Sequence, residues 1–545
     1  MRRASISACL FATAMSGGCL MEVVDVVPIA DAGEDEGEVS DDEAGDEAPA
    51  EQDEGGSGQG GEDGAPLFDV GSGSSQVSTC EFADQFPSHI GCEFFAIDPD
   101  LAGLHDEDPY VFAVINPLDE PVEVELSRRN DQSWAQVEQV TIPAQQVYAF
   151  EPGDNHAPGT GVFLSAVFRL TSTAPVVAVQ FSGGYKSSAT MLQPSAAWTP
   201  TTHVAGWRTH EGVGERAFMG IVARSSGTTV KLASSFDVFP NTPTAWDVPD
   251  PLPDDPDFNA LEFELQPGAL ARLDAKATEA EVDHGTSGTT VVTGQEHLNS
   301  VFSVHTCAAI PDYDGGCGHM QEQLVSRLEG QHFVVPRMVL FSDPNQDLAD
   351  VHEETMVQVV ATQPETTVYF LHGEGEVLES VVIDPADPYA VYEAERELIV
   401  IADRPVVASA YMTNPKLTSL GSPSMVQLAP VEQWTGMHYV WVPEGYETHL
   451  LIASLAGAQL EVEQVATLDG QPLPADPHAD PVAVHGVFAD ELGQREITRV
   501  PVAPGLFRVT SHSPSSVVVA GWRSEDGFAY LGGWGPSLAD LGPAG

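Results

Sequence analysis

A recurring phrase of β-type sequence constrains the fold of this chain more than any other feature. Its copies are AVFRLTSTAPVVAVQFSGGYKSSATMLQP (166–194), LIVIADRPVVASA (398–410), LFRVTSHSPSSVVVAG (506–521) and a weaker one, HLNSVFSVHTC, ending at Cys307. Short apolar runs that are rich in β-branched residues and bounded by turn residues are typical of buried strands. The clearest copy predicts a strand over Phe168–Thr171, a turn over Ser172–Pro175 and a second strand over Val176–Phe181.

Four similar units of sequence follow one another from Cys92 onward. Each opens with an aromatic-rich strand, and these strands are CEFFAID at 92, HVAGW at 203, HFVVP at 332 and HYVWVP at 438. About seven or eight short strands per roughly 110 residues are typical of a β-sandwich of immunoglobulin-like size. The sequence therefore predicts an all-β protein with four tandem β-sandwich repeats, at residues 79–200, 201–331, 332–436 and 437–545.

An eight-bladed β-propeller is the alternative fold, because each unit could supply two four-stranded blades. Tandem sandwiches are favoured because each unit is long enough to form a core of its own. Val177, Val407 and Val518 occupy the same place in the recurring phrase. In either fold, we expect these three valines to be buried.

The N-terminus has the pattern of a bacterial lipoprotein signal peptide. Arg2 and Arg3 precede a short apolar stretch, ISACLFATAM, that ends just before Ser16-Gly-Gly-Cys19. Such a stretch is too short for a transmembrane helix but suits a signal peptide. We predict a signal peptide over residues 1–19 with Cys19 as the lipidated residue, and ordinary secretion is the alternative.

Residues 20–78 are predicted to be a disordered acidic linker. Between Asp31 and Asp63 the sequence has 15 acidic residues and no Lys or Arg. Such a segment cannot bury enough apolar surface to fold, and its charges repel one another and extend it. The linker would hold the folded part away from a surface.

The charge of the whole chain excludes several classes of partner. There are 82 Asp and Glu residues against 21 Lys and Arg, for a formal net charge of −61. Nucleic acids and anionic membranes are bound by basic surfaces, so neither is predicted to be a partner. The predicted contact with a membrane is through the lipid anchor only.

The cysteines of the folded part form two close pairs, Cys80 with Cys92 and Cys307 with Cys317. Close pairs in an exported chain indicate local disulfides. A zinc site is the alternative for the second pair, because His305 and His319 flank it and two Cys with two His can hold zinc.

The stretch around the second pair resembles a known family. Cys307…Cys317-Gly-His319-Met-Gln-Glu322-Gln323-Leu324 resembles the Cys…Cys-x-His-x-x-Glu-Gln-Leu signature of the IgGFc-binding domain. The segments GCEFFAID, RLTSTAPVVAVQF and SSATMLQPSAAW also resemble that domain, so the resemblance covers roughly 91–414. It implies kinship with surface proteins, including bacterial ones, and it assigns the family motif to His319, Glu322, Gln323 and Leu324. It carries no binding residue over to this chain.

No segment has the pattern of a catalytic or cofactor site. The segment 284–288, HGTSG, lacks the arrangement of a nucleophile elbow, and HEE at 352–354 lacks the second His of a zinc protease helix. No phosphate-binding loop or dinucleotide fingerprint is present in the sequence. The acidic runs Asp98–Asp108 and Asp247–Asp257 are interpreted as solvated loops, with Ca²⁺ binding as the alternative. We therefore predict no catalytic, cofactor-binding or metal-binding residue.

These features together predict a non-enzymatic binding or adhesion protein of the cell surface. The expected location is the outer membrane or cell surface as a lipoprotein, and the expected ligand is a protein or a glycan. A structural envelope protein without a specific ligand is the first alternative, and a secreted hydrolase is the second.

Overall fold

The computed structural model describes residues 79–536 of the chain, with gaps. The gaps are residues 100–109, 131–132, 184–185, 209–216, 226, 235–258, 276–284, 295–296, 312–316, 339, 344–347, 373–374, 385–386, 416–420, 469–482, 491–492 and 525. The predicted signal peptide with Cys19, the predicted linker and the acidic run Asp247–Asp257 lie outside the described residues.

The described residues fold almost entirely into antiparallel strands, which confirms the all-β prediction. The one α-helix among them, α1 (Cys80–Gln85), begins after Thr79, whose side-chain oxygen accepts a hydrogen bond from the Phe82 amide at 3.2 Å. Such a cap satisfies an amide that the start of a helix leaves without a partner. No helix in the described ranges is long and apolar enough to cross a membrane.

The first strand group is organised around one long strand, β7. Its strands are β1 (Gly91–Ile97), β2 (Tyr110–Ile115), β3 (Val122–Asn130), β4 (Ser133–Ile142), β5 (Val147–Phe150), β6 (Gly161–Phe163), β7 (Val167–Ser182) and β8 (Ser188–Leu192). The first half of β7 pairs with β1 and β3, and its second half pairs with β2 and β8. We call the resulting sheets the leading sheet (β4-β3-β7-β1) and the trailing sheet (β5-β2-β7-β8).

The second strand group has the same two sheets, but its long strand is interrupted. Its strands are β9 (Thr201–His203), β10 (Ala217–Ala223), β11 (Thr228–Ser234), β12 (Asn259–Leu265), β13 (Leu270–Asp274), β14 (Thr290–Val292), β15 (Asn299–Ala308) and β16 (Gly318–Leu324). Here β14 belongs to the leading sheet (β12-β11-β14-β9) and β15 to the trailing sheet (β13-β10-β15-β16). Strand β6 extends this trailing sheet by pairing with β13.

The third strand group is organised around the long strand β24. Its strands are β17 (Gly330–Val335), β18 (Leu340–Asp343), β19 (Leu348–His352), β20 (Thr355–Ala361), β21 (Thr366–His372), β22 (Glu376–Ile383), β23 (Tyr389–Ala394), β24 (Leu398–Met412) and β25 (Ser424–Gln427). The leading sheet is β22-β21-β24-β17 and the trailing sheet is β23-β20-β24-β25, while β18 and β19 form a separate pair.

The fourth strand group is organised around β31. Its strands are β26 (Thr435–Val442), β27 (Glu447–Leu455), β28 (Leu460–Ala466), β29 (Ala483–Asp490), β30 (Gly493–Val502), β31 (Gly505–Arg523) and β32 (Asp526–Leu531). The leading sheet is β28-β31-β26, and the trailing sheet is β29-β30-β27-β31-β32.

The turn predicted at Ser172–Pro175 is wrong, because β7 passes through it as one strand of 16 residues. Pro175 lies where β7 changes partners, and Pro405 and Pro514 lie at the same point of β24 and β31. Proline has no N–H to donate, so it is tolerated in a strand only where no ladder hydrogen bond is needed. The prolines therefore mark the change from the leading to the trailing sheet.

Hydrophobic cores are shared across the boundaries between the strand groups. One core joins Val177 of the first trailing sheet with Val440 and Phe507 of the fourth leading sheet. Another joins the second group with Val360 and Val407 of the third. The remaining core includes Val518. It contains side chains of the first group and the second trailing sheet, together with side chains of the third group and the fourth trailing sheet.

Polar contacts cross the same boundaries. Arg129 of the first leading sheet donates to Gln266, in the turn between β12 and β13 of the second group, at 3.0 Å. Arg499 of the fourth trailing sheet lies 3.2 Å from Glu397, which precedes β24. The pKa of Glu397 would rise on burial, but the guanidinium groups of Arg337 and Arg499 hold it below its usual range. These contacts join the first group to the second and the third group to the fourth.

The ring of sheets closes at its centre. The last strand of each trailing sheet lies there, and β8 contacts β16 and β32 while β25 contacts the same two strands. Gln323 Oε1 accepts from the Gln193 amide at 2.7 Å, and Gln427 Oε1 accepts from the Val325 amide at 3.1 Å. Trp534, which follows β32, donates from Nε1 to Gln193 Oε1 at 2.8 Å and joins the last group to the first.

The packing differs from the tandem sandwiches that the sequence favours. Sandwich repeats with a core each would keep their apolar faces to themselves, but within the described ranges the cores run between groups. The four trailing sheets meet through their last strands, and the part of the fold prediction that the described residues confirm is the all-β class. The repeat boundaries proposed from the sequence remain predictions.

Candidate functional site

A pocket of about 200 Å³ lies where the leading sheet of the second group packs on the trailing sheet of the third. It is lined by Trp207, Arg208, Pro311, Met356, Gln358, Tyr389 and Val391. Met356 and Gln358 come from β20, and Tyr389 and Val391 come from β23. The lining is mostly apolar and aromatic with few polar groups, which is typical of ligand pockets.

Trp207 is held in a fixed position at this pocket. It follows β9, its side chain is 6% exposed, and its Nε1 donates to the carbonyl oxygen of Ala309 at 3.0 Å. Its ring packs against Tyr411 with a centroid distance of 5.1 Å. A buried indole with its N–H satisfied offers a rigid apolar face to the pocket.

The disulfide between Cys307 and Cys317 braces one wall of the pocket. The Cα atoms of the two cysteines are 5.1 Å apart, and the loop that the bond closes includes Ala309 and Pro311. Arg208 donates to the Pro311 carbonyl at 3.3 Å. Trp207 and Arg208 are thus both hydrogen-bonded to the loop that the disulfide closes.

Both predicted disulfides are present in the structure, and the Cα atoms of Cys80 and Cys92 are 5.6 Å apart. The zinc alternative needs two thiolates, but Cys307 and Cys317 are bonded to each other. His305 Nε2 lies 3.1 Å from the Arg208 carbonyl oxygen, and His319 contacts the hydroxyl of Ser188.

Gln358 lies at the base of the pocket and is 2% exposed. Its Oε1 lies 2.9 Å from the hydroxyl of Tyr411, 3.2 Å from the amide of Gly206 and 3.2 Å from the hydroxyl of Ser287. Ser287 belongs to the HGTSG segment, and its hydroxyl also donates to the Gly206 carbonyl at 2.7 Å. This serine therefore joins two strand groups.

The four residues of the predicted family motif lie on β16, at the centre of the ring and away from the surface. His319, Glu322, Gln323 and Leu324 are each at most 1% exposed. Gln323 donates from its amide to Thr190 Oγ1 at 2.9 Å, and burial raises the pKa of Glu322 well above its usual range. These residues are placed to hold neighbouring groups together.

A second cluster of polar side chains contains Asp98, Asp154 and His156, whose possible ligand atoms lie within 4.8 Å of one another. Asp98 accepts from the Asn155 amide at 2.6 Å, and Asp154 lies 2.9 Å from His156 Nδ1. Of the predicted acidic loop 98–108, only Asp98 and Pro99 are described, so Ca²⁺ binding by that loop stays an open alternative.

A protein-family model matches this chain. The family model described as IgGFc binding protein matches residues 188–521, which is more than half of the chain. The chain belongs to the IgGFc-binding family. Neither the curated proteins nor the solved structures gave a match.

The matched region of this IgGFc-binding family member differs from the one that the sequence motifs indicate. It begins at β8 and extends through most of β31, whereas the motifs place the resemblance at roughly 91–414. All seven residues that line the pocket lie within the match, as do Cys307, Cys317 and the four motif residues.

The pocket itself was not predicted from the sequence. Among the residues of the pocket, Gln358 is the one that the sequence pattern could have indicated, because it interrupts the apolar run Met356–Val360 of a buried strand. A polar side chain in such a run needs a partner, and here the partners come from another strand group. The positions of Trp207, Pro311 and Tyr389 together depend on the closed ring, which no local pattern encodes.

Proposed function

We propose that this protein binds a protein ligand at the cell surface and catalyses no reaction. The pocket at Trp207 carries the proposal, because it lies in the matched region of a family described as IgGFc binding protein. Trp, Tyr and Arg are the residues most enriched where protein partners bind tightly. The lining residues supply aromatic faces and an amide, and no hydroxyl nucleophile beside a histidine base is among them.

In this proposal the protein is exported and anchored by a lipid on Cys19, with residues 20–78 as a spacer. The spacer composition supports this: a coil of roughly 60 residues spans about 45 Å, and its charges lengthen it further. The ring would then stand clear of the membrane surface with its pocket accessible to a protein partner.

The test combines binding with fractionation. Purified protein is passed over immobilised immunoglobulin G Fc, mucin and mucin stripped of its glycans, and cells producing wild type or Cys19→Ser are extracted with a phase-separating detergent. We expect saturable binding to a protein surface without need for glycans, and we expect Cys19→Ser to move the protein from the detergent phase to the aqueous phase. If the protein at about 10 µM binds none of the three surfaces, or binds only mucin that still carries its glycans, the proposal of a protein ligand is contradicted.

A further inference from the structure

The hydrogen bonds of Gln358 fix the direction of its amide. The Gly206 backbone N–H can only donate, and it is shared between Ser287 Oγ at 3.1 Å and Gln358 Oε1 at 3.2 Å, which favours the oxygen of Gln358 on this side. The Tyr411 hydroxyl donates to the same oxygen at 2.9 Å. Every side-chain hydrogen bond of Gln358 in the described part of the chain ends on Oε1, which leaves the Nε2 donors for the pocket.

The Nε2 donors of Gln358 border a mostly apolar pocket, where an acceptor on a ligand can reach them. Gln358 is 2% exposed, and Trp207, Met356 and Pro311 surround the same space. Buried polar groups are nearly always hydrogen-bonded, either within the protein or to a bound molecule. The pocket is therefore suited to a ligand that places an oxygen at its base and apolar atoms against its walls.

The size and charge of the site narrow the ligand further. An apolar cavity of about 150 Å³ accepts benzene, so about 200 Å³ suits an aromatic ring or a branched aliphatic side chain. The polar groups of the lining include the Gln358 amide and the Arg208 guanidinium, both of which donate hydrogen bonds, so the ligand atom between them is an acceptor such as a carbonyl oxygen.

We propose that the pocket binds one apolar side chain of a protein ligand, such as Phe or Leu, and that Gln358 Nε2 donates to a neighbouring backbone carbonyl of that ligand. The proposal rests on the proposed function in taking the ligand to be a protein. Trp207 supplies the flat wall for the side chain, and the loop closed by the Cys307–Cys317 disulfide holds that wall in place.

The direct test uses small probes and the full chain. The probes are N-acetyl-phenylalanine amide, N-acetyl-leucine amide, N-acetyl-serine amide and N-acetylglucosamine, and binding is followed by ligand-observed NMR. With the affinity per atom that drug-sized molecules show, ligands of this size bind with dissociation constants of about 1 mM. We expect the phenylalanine and leucine amides to bind at this level and at least tenfold more tightly than the serine amide or the sugar.

A pair of matched variants locates the binding. Val391 lines the pocket and is 39% exposed, so Val391→Trp fills the mouth without entering the core. Val137 on β4 is 45% exposed and lies outside the pocket lining, so Val137→Trp is the control. We expect Val391→Trp to weaken probe binding at least tenfold and Val137→Trp to leave it unchanged, with equal thermal midpoints for the two variants.

A further variant tests the amide itself. Gln358→Met keeps the length of the side chain but removes both Nε2 donors and the Oε1 acceptor that holds Gly206 and Tyr411, and we expect about tenfold weaker binding of the two apolar amides if the variant melts cooperatively. Preference for N-acetylglucosamine would assign the pocket to a glycan and overturn the proposal, as would probe binding that survives Val391→Trp. If either outcome is observed, the protein can still bind immunoglobulin or mucin through another surface. Failure of the pocket proposal is therefore distinguishable from failure of the proposed function.

Discussion

Replacing Trp534 with alanine lowers the free energy of unfolding by about 3–5 kcal/mol, as expected for removal of a fully buried aromatic side chain. Trp534 is 1% exposed, and its Nε1 hydrogen bond to Gln193 connects two residues that are 341 positions apart. Its backbone also contacts His89, which precedes the first strand. The loss is measured as the shift of the chemical denaturation midpoint at constant slope.

Trp534→Phe is the matched variant. Phenylalanine keeps most of the apolar contact but leaves Gln193 Oε1 without the indole donor, so the expected loss is about 1–3 kcal/mol. Both variants should lower the stability of the whole folded part, because Trp534 joins the last strand group to the first. An unchanged midpoint for Trp534→Ala would contradict closure of the ring at this residue.

Acid is expected to destabilise the protein between about pH 6.5 and pH 4 through two buried histidines. Burial lowers the pKa of His89 to about 4, and burial together with the charge of His89 lowers the pKa of His438 to about 3. An unfolded histidine has a pKa near 6.5, so below that pH the unfolded chain binds protons that the folded chain does not bind. For His89 alone, the full loss is about 3 kcal/mol at 1.36 kcal/mol per pH unit.

The pH dependence of stability that the two histidines cause can be distinguished from the pH dependence that buried carboxyl groups cause. Glu322 acts in the opposite direction, because its raised pKa adds stability as the pH falls through that value. The measurement is therefore the difference in the pH dependence of the free energy of unfolding between wild type and His438→Gln. His512→Gln, at an exposed position, is the control. Equal slopes in all three proteins between pH 6.5 and 4 would show that His438 is not buried in its neutral form.

The local features of this fold were predictable from the sequence. The β-branched runs of the recurring phrase predict the buried strands, and Val177, Val407 and Val518 are at most 2% exposed. The spacing of the cysteines predicts both disulfides, since close pairs in an exported chain bond locally. In each case the residues that decide the structure are neighbours in the chain.

The long-range features were not predictable in the same way. The residues Ser172–Pro175 favour a turn, but strand pairing on both sides of Pro175 keeps β7 extended. The closed ring depends on contacts such as Gln193 with Trp534, and the pocket depends on Gly206 meeting Gln358. A sheet that packs within its own group and a sheet that packs on the next group have the same alternation of apolar and polar residues. Periodicity in the sequence therefore does not show which of the two packings forms.

Three valines test the closed ring as a set. Val177 shares a core with the fourth group, Val407 shares a core with the second, and Val518 belongs to the core that has residues from all four groups. Truncating any of them to alanine leaves a void between two groups and should cost about 1–3 kcal/mol. Because the cores are shared around the ring, each substitution should lower the stability of all four groups.

The most direct measurement is calorimetry of Val177→Ala, Val407→Ala and Val518→Ala beside the wild type. A closed ring predicts one main transition that moves to lower temperature in every variant, whichever valine is replaced. Tandem sandwiches predict several transitions, of which each substitution shifts one and leaves the others in place. Observation of that second pattern would contradict the shared cores on which the pocket and its proposed ligand depend.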